Sequence, residues 1–131
     1  MTNEDHLIGR ADIERIQSLS EQELDQLPFG AIRLDRDGTI LSYNQAEADL
    51  SGRKKERVIG KSFFAEVAPC TNVQEFAGRY RQGMEERKLD TTFPYRFRFP
   101  NRVVDVEITL ILSSDSESAW VFVKEASMPI V

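Results

Sequence analysis

The sequence predicts an α+β domain: one antiparallel five-stranded sheet, a helical crossover on its inner face and an N-terminal helical cap. Three observations predict it. Residues 30–44 read as a hairpin, with Asp37-Gly38 supplying the positive-φ position of a tight turn. Three strand patterns close the chain, over residues 91–99, after Asn101 and over 118–124. Between the hairpin and those strands lie only helix and turn patterns, and two short amphipathic helices precede the hairpin. The chain divides into a cap (1–27), a core (28–125) and a tail (126–131), and 131 residues suffice for one domain with a proper apolar core.

The cap comes first. Ile13, Ile16 and Leu19 recur at about one-turn spacing, and Ser20 with Glu23 three residues later is a capping-box signature. Leu24 and Leu27 give the second helix a small apolar face. Helices this short are unstable alone, so they must dock, and the outer face of the sheet is the expected seat. Pro28 ends the segment. After the hairpin, residues 45–50 form one or two helical turns, Ser51-Gly52-Arg53 breaks them, and 54–58 form another short helix. Residues 72–89 predict the longest helix. Phe76, Tyr80 and Met84 mark its core face, and Asn72 is placed to cap it with Glu75 three residues on. In the next strand Phe93, Tyr95, Phe97 and Phe99 share one face. In the one after, Val104, Val106, Ile108, Leu110 and Leu112 do. The order of elements resembles the PAS arrangement, in which a pocket lies between the sheet and the crossover. Cys70 falls inside that crossover.

Composition narrows the chemistry. Hydrophobic residues are 40% and charged residues 30%, an ordinary soluble balance. The net charge is −5 with both signs interleaved, so no basic stripe offers a nucleic-acid face. No apolar run nears the ~20 residues of a membrane span. The polar, acidic N-terminus is no secretory signal, and a single cysteine fits a reducing, cytoplasmic setting. One cysteine and one histidine (His6) do not make a structural zinc site, and His6 is remote from any thiol it would have to activate. No metal is expected.

Cys70 is then either a small apolar filler, the common fate of a free cysteine, or a nucleophile kept for one task. Tyr43, Glu47 and Ser51 stand four residues apart and share a face if the helix holds. By themselves Glu47 reads as a solvated carboxylate and Tyr43 as a half-buried strand residue.

Taken together the residues carry a resemblance. Phe29-Gly30-Ala31-Ile32, Asp37-Gly38, Tyr43-Asn44, Ala46-Glu47, Gly52-Arg53, Val58-Ile59-Gly60-Lys61, Val67-Ala68-Pro69-Cys70-Thr71 and Trp120-Val121-Phe122-Val123-Lys124 resemble the photoactive yellow protein family, over about residues 11–124. The resemblance implies a blue-light photoreceptor, not an enzyme. It implies a 4-hydroxycinnamoyl (p-coumaric acid) group held as a thioester on Cys70, with Tyr43 and Glu47 hydrogen-bonding its phenolate. Ser51 stands where the family usually has threonine, and Arg53 matches the arginine that covers the pocket. Ile32, Phe63, Val67, Ala68, Pro69, Thr71, Tyr95 and Phe97 would line the cavity. Light would drive trans-to-cis isomerisation, Glu47 would give its proton to the phenolate, and the cap would be released as the signal to an unknown downstream protein. A monomer or weak dimer is expected, with neither nucleic acid nor membrane as partner. Two departures stand out: Phe99 replaces a frequent tyrosine, and the loop at Phe99-Pro100-Asn101-Arg102 is short and lacks the family's methionine. Slow dark recovery is the expected consequence. Competing readings are a pigment-free PAS module that binds a ligand or another protein, and a thiol enzyme, for which no base is available.

Overall fold

Asp37-Gly38 turns the chain as predicted. Gly38 sits at φ 87, and β1 (Gly30–Asp35) pairs antiparallel with β2 (Ile40–Tyr43) across it. The computed structural model describes residues 10–99 and 102–126. His6 and residues 127–131 of the predicted tail lie outside them. Strands β3 (Asp90–Phe99), β4 (Arg102–Leu112) and β5 (Ser118–Glu125) complete one sheet in the order β2-β1-β5-β4-β3, with every neighbouring pair antiparallel. The β3–β4 register runs out to Phe99 opposite Arg102, so the short loop is a two-residue connection. Strand β5 runs to Glu125, the last residue assigned to the core, which pairs with Val106.

The chain leaves the sheet at edge strand β2 and re-enters at the opposite edge, β3, so residues 44–89 cross the inner face. They form α3 (Gln45–Ser51), α4 (Lys55–Val58), a run of tight turns and α5 (Arg79–Glu86). The main core lies between crossover and sheet. Ile32, Leu34, Val106, Ile108, Leu110 and Val121 meet Phe63, Phe64, Phe76, Tyr80 and Met84 there.

The outer face is covered too. Ile13 and Ile16 of α1 (Arg10–Gln17) and Leu24 of α2 (Glu21–Leu24) pack on Ala31, Ile111, Trp120 and Phe122. This is why β5 reads as an unbroken apolar run: both of its faces are buried. The predicted capping box forms, with Glu23 N–H donating to Ser20 Oγ and Ser20 N–H to Glu23 Oε1. Gln17 also exchanges two hydrogen bonds with Ser114, at 3.0 and 2.9 Å, in the turn after β4.

The single helix predicted over 72–89 is not what forms. Val73 is extended, its N–H turns back to the Thr71 carbonyl, and its own carbonyl accepts from both Phe76 and Gly78. The segment Gln74–Gly78 is therefore a wide turn with i→i+5 bonds, and regular helix starts only at Arg79. Asn72 caps nothing; its side chain accepts from Arg81 at 3.1 Å. Arg87, at φ 54, ends α5. A second wide turn, Phe63–Val67, precedes Cys70, so the cysteine sits between two such turns. Wide turns of this kind concentrate at functional sites.

Candidate functional site

Four side chains from the β2–α3 junction converge. Tyr43 ends β2, and Asn44 caps α3 by accepting from Glu47 N–H (3.1 Å). The same Asn44 carbonyl oxygen accepts from Ala31 N–H (2.9 Å), and its amide donates to the carbonyls of Leu24 and Phe29. One buried asparagine thus joins β1, the cap and the helix bearing Glu47. Sequence reasoning passed it over, although an asparagine just before an Ala-rich turn is a strong N-cap signal. The Tyr43 hydroxyl lies 2.8 Å from Ser51 Oγ, so the spacing of four works across a strand–helix junction. Gly52, at φ 75, then turns the chain outward into Arg53.

Glu47 is 2% exposed. Its Oε1 is buried without a hydrogen-bond partner. It lies over Gly30, where a Cβ would sit 2.2 Å from Oε1. Gly30, quoted from sequence only as part of a motif, is the floor that makes room for this carboxyl. Burial pushes the Glu47 carboxyl up from 4.5 to about 8, so it holds its proton at neutral pH. Burial also raises Tyr43 well above the ordinary tyrosine range, and Glu47 adds to the shift. The Ser51 hydrogen bond and the Arg53 charge oppose it.

Cys70 lies in a short 3₁₀ turn, Pro69–Thr71, half-buried against the main core and not in a disulfide. Two hydroxyls fix this turn. Tyr95 Oη donates to the Cys70 carbonyl at 2.6 Å, and Thr71 Oγ1 donates to the Ala68 carbonyl at 2.6 Å. Burial lifts the Tyr95 pKa above its ordinary value, with Cys70 and Glu75 adding to this. Ile32, Tyr43, Phe63, Val67 and Phe97 belong to the same core cluster, and Ala68, Cys70 and Tyr95 pack against it. Phe76 stands edge-on to Tyr95 with ring centroids 5.2 Å apart, so the wall on that side is aromatic. Pro69 departs from the predicted lining. It is exposed, because it starts the turn, where its fixed φ is favourable and its missing N–H costs nothing. Arg53 is exposed as well, and its N–H donates to Ser51 Oγ.

The geometry thus offers a thiol on a pinned turn, an aromatic and aliphatic wall, and a hydroxyl–carboxyl pair with one unmatched buried oxygen. The chain matches the PAS fold family over residues 18–125. It is 42% identical over 117 residues to a photoactive yellow protein of Rhodothalassium salexigens, covering 88% of this chain and 94% of that protein. Another, from Halochromatium salexigens, is 44% identical over 117 residues with the same coverage. This chain belongs to the photoactive yellow protein family. Its backbone superposes, with TM-score 0.82 and 42% identity, on the photoactive yellow protein domain of the sensor histidine kinase Ppr from Rhodospirillum centenum. That match covers 85% of this chain and 97% of the domain. As a photoactive yellow protein relative the chain is a photoreceptor with a PAS fold, not an enzyme, and it works through a chromophore. A yellow pigment absorbs blue light. Among the described residues no helix is long and apolar enough to cross a membrane, and no cluster of three His, Cys, Asp or Glu residues is placed to hold a metal ion.

These residues suit a group that accepts hydrogen bonds at one end and is otherwise apolar, since Tyr43 and the buried Glu47 carboxyl stand beside an aromatic and aliphatic core. Glu47 Oε1 is buried without a partner, and a carboxyl that burial keeps protonated can donate to the end of a group bound there.

Proposed function

We propose that the chromophore is a 4-hydroxycinnamoyl group joined to Cys70 as a thioester, and that Glu47 is the light-triggered proton donor. The observation carrying this reading is the buried Glu47 carboxyl with its unmatched oxygen, beside Tyr43, which belongs to the core that Cys70 packs against. When bound, the group supplies light absorption, trans-to-cis isomerisation and a phenolic oxygen at the far end from sulfur. Tyr43 and Glu47 each hold a proton toward that end, and Ser51 steadies the Tyr43 hydroxyl. Arg53, at the surface beside Ser51, screens the pocket mouth. In the dark Glu47 keeps its proton because burial disfavours the carboxylate.

Proton loss from Glu47 leaves an unpaired buried carboxylate, which costs several kcal/mol. That is a large part of the ~5–15 kcal/mol that holds a domain of this size together. The strain reaches the cap by a short route. Asn44 holds both the Glu47 N–H and the Leu24 carbonyl, and Asp25 of the cap bonds Gln45 N–H and Lys55. Movement of α3 therefore loosens α2 first, and the freed cap and outer sheet face become the surface offered to a downstream cytoplasmic partner.

Infrared difference spectroscopy tests the donor role. Illumination of the pigmented protein should bleach one protonated-carboxyl stretch, and Glu47→Gln should lack that bleach. A bleach that persists in the variant would sink the assignment.

A further inference from the structure

We infer that a basic hollow over α4 receives the phosphate-bearing carrier of the activated acyl donor from which Cys70 takes its pigment. This inference rests on the reading of Cys70 as the attachment point. The chain carries a net charge of −5, yet Arg53, Lys54, Arg57 and Lys61 ring one hollow of about 570 Å³. None of the four takes part in an ion pair among the described residues. The one acid in the lining, Glu66, already accepts from the Ser62 N–H at 3.0 Å. Four cations against a single carboxylate leave the hollow with a net positive charge, which a polyanion relieves; guanidinium groups match phosphate geometry in particular.

The position of the hollow ties it to Cys70. Val67 lines the hollow and belongs to the main core, against which Cys70 packs three residues later. Three peptide steps of about 3.8 Å put their Cα atoms within about 11 Å of each other. Arg53, on the rim, adjoins Ser51, whose hydroxyl contacts Tyr43. An anion held here lies just outside the wall of the pigment pocket.

The chemistry calls for such a handle. A free carboxylic acid does not condense with a thiol in water, so the acyl group must arrive activated. With a thioester donor, Cys70 Sγ attacks the donor's carbonyl carbon and the bond from that carbon to the donor sulfur breaks. The carrier departs as a thiolate and takes up the proton that Cys70 lost. One thioester replaces another, and nothing is oxidised or reduced. Among the described residues there is no histidine to act as a base. Acceleration therefore has to come from holding the donor near the thiol and from steering it there by charge.

The test uses pigment-free protein and two donors with the same acyl group and the same thioester bond. Hydroxycinnamoyl-coenzyme A carries phosphates; hydroxycinnamoyl-N-acetylcysteamine does not. Loading is followed by intact mass at low and high salt, in wild type and in an Arg57→Glu/Lys61→Glu variant. The coenzyme A donor should load wild type at least about tenfold faster at low salt. High salt or the double variant should erase that advantage while the neutral donor keeps its rate, which also shows the variant folded with its thiol intact. Adenosine 3′,5′-bisphosphate should slow only the coenzyme A donor. Equal rates for the two donors, or a variant slowed equally with both, would overturn the inference. Failure of both donors to load wild type would instead overturn the assignment of Cys70 as the attachment point.

Discussion

Glu47→Gln should flatten the pH dependence of stability of the pigment-free protein between about pH 4.5 and 8. In the folded chain Glu47 keeps its proton up to about 8, whereas the unfolded chain releases it near 4.5. Through that window the folded state binds more protons than the unfolded state, so stability falls as pH rises. The contribution is complete below 4.5 and gone above about 8, and its full size is up to about 5 kcal/mol. Glutamine fills the same space without a titrating proton, so the variant should be the more stable form at pH 8. Asp105 and Asp115 are held below the usual carboxylate range, first by hydrogen bonds from Arg96 and Ser113, so they titrate beneath this window. Urea unfolding at pH 5.5 and pH 8 measures the effect. Parallel losses of stability in wild type and variant would show that Glu47 is not the buried acid described.

Gly30→Ala should dislodge Glu47. The added Cβ would stand 2.2 Å from Oε1 and 3.2 Å from the Glu47 Cβ. Strand β1 has little freedom to yield, since Gly30 is paired to Val123 on β5 and Ala31 N–H is held by Asn44. The glutamate must therefore swing out of its place. Overpacking of this kind costs about 1–3 kcal/mol. A double-mutant cycle gives the decisive reading. In a Glu47→Ala background the alanine meets no carboxyl, so the two changes together should cost less than the sum of their separate effects. Strict additivity would mean that Gly30 and Glu47 do not share the space.

Much of this fold was legible because local signals and tertiary packing agree. Asp37-Gly38, the Ser20–Glu23 box and the alternating aromatics of β3 each specify their structure within a few residues. The wide turns flanking Cys70 were not legible. An i→i+5 bond has no residue signature, and at 72–89 the one-turn spacing of Phe76, Tyr80 and Met84 suits both a regular helix and the wide turn followed by α5. Asn72 looked like a cap, but Val73 adopts the extended backbone of that position. At the site, Tyr43, Glu47, Ser51 and Cys70 were picked out by the family resemblance, since type and spacing alone left Glu47 a solvated carboxylate and Cys70 either filler or nucleophile. Gly30 and Asn44 were given no role, because their roles exist only once β1, the cap and α3 are assembled.

The most direct measurement is a visible absorption spectrum of wild type and Cys70→Ala after incubation with activated 4-hydroxycinnamic acid. Wild type should gain a blue-absorbing band that bleaches under blue light and returns in the dark, while Cys70→Ala should stay colourless. A band that forms equally in the alanine variant, or a wild type that stays colourless with its thiol free by intact mass, would contradict the account.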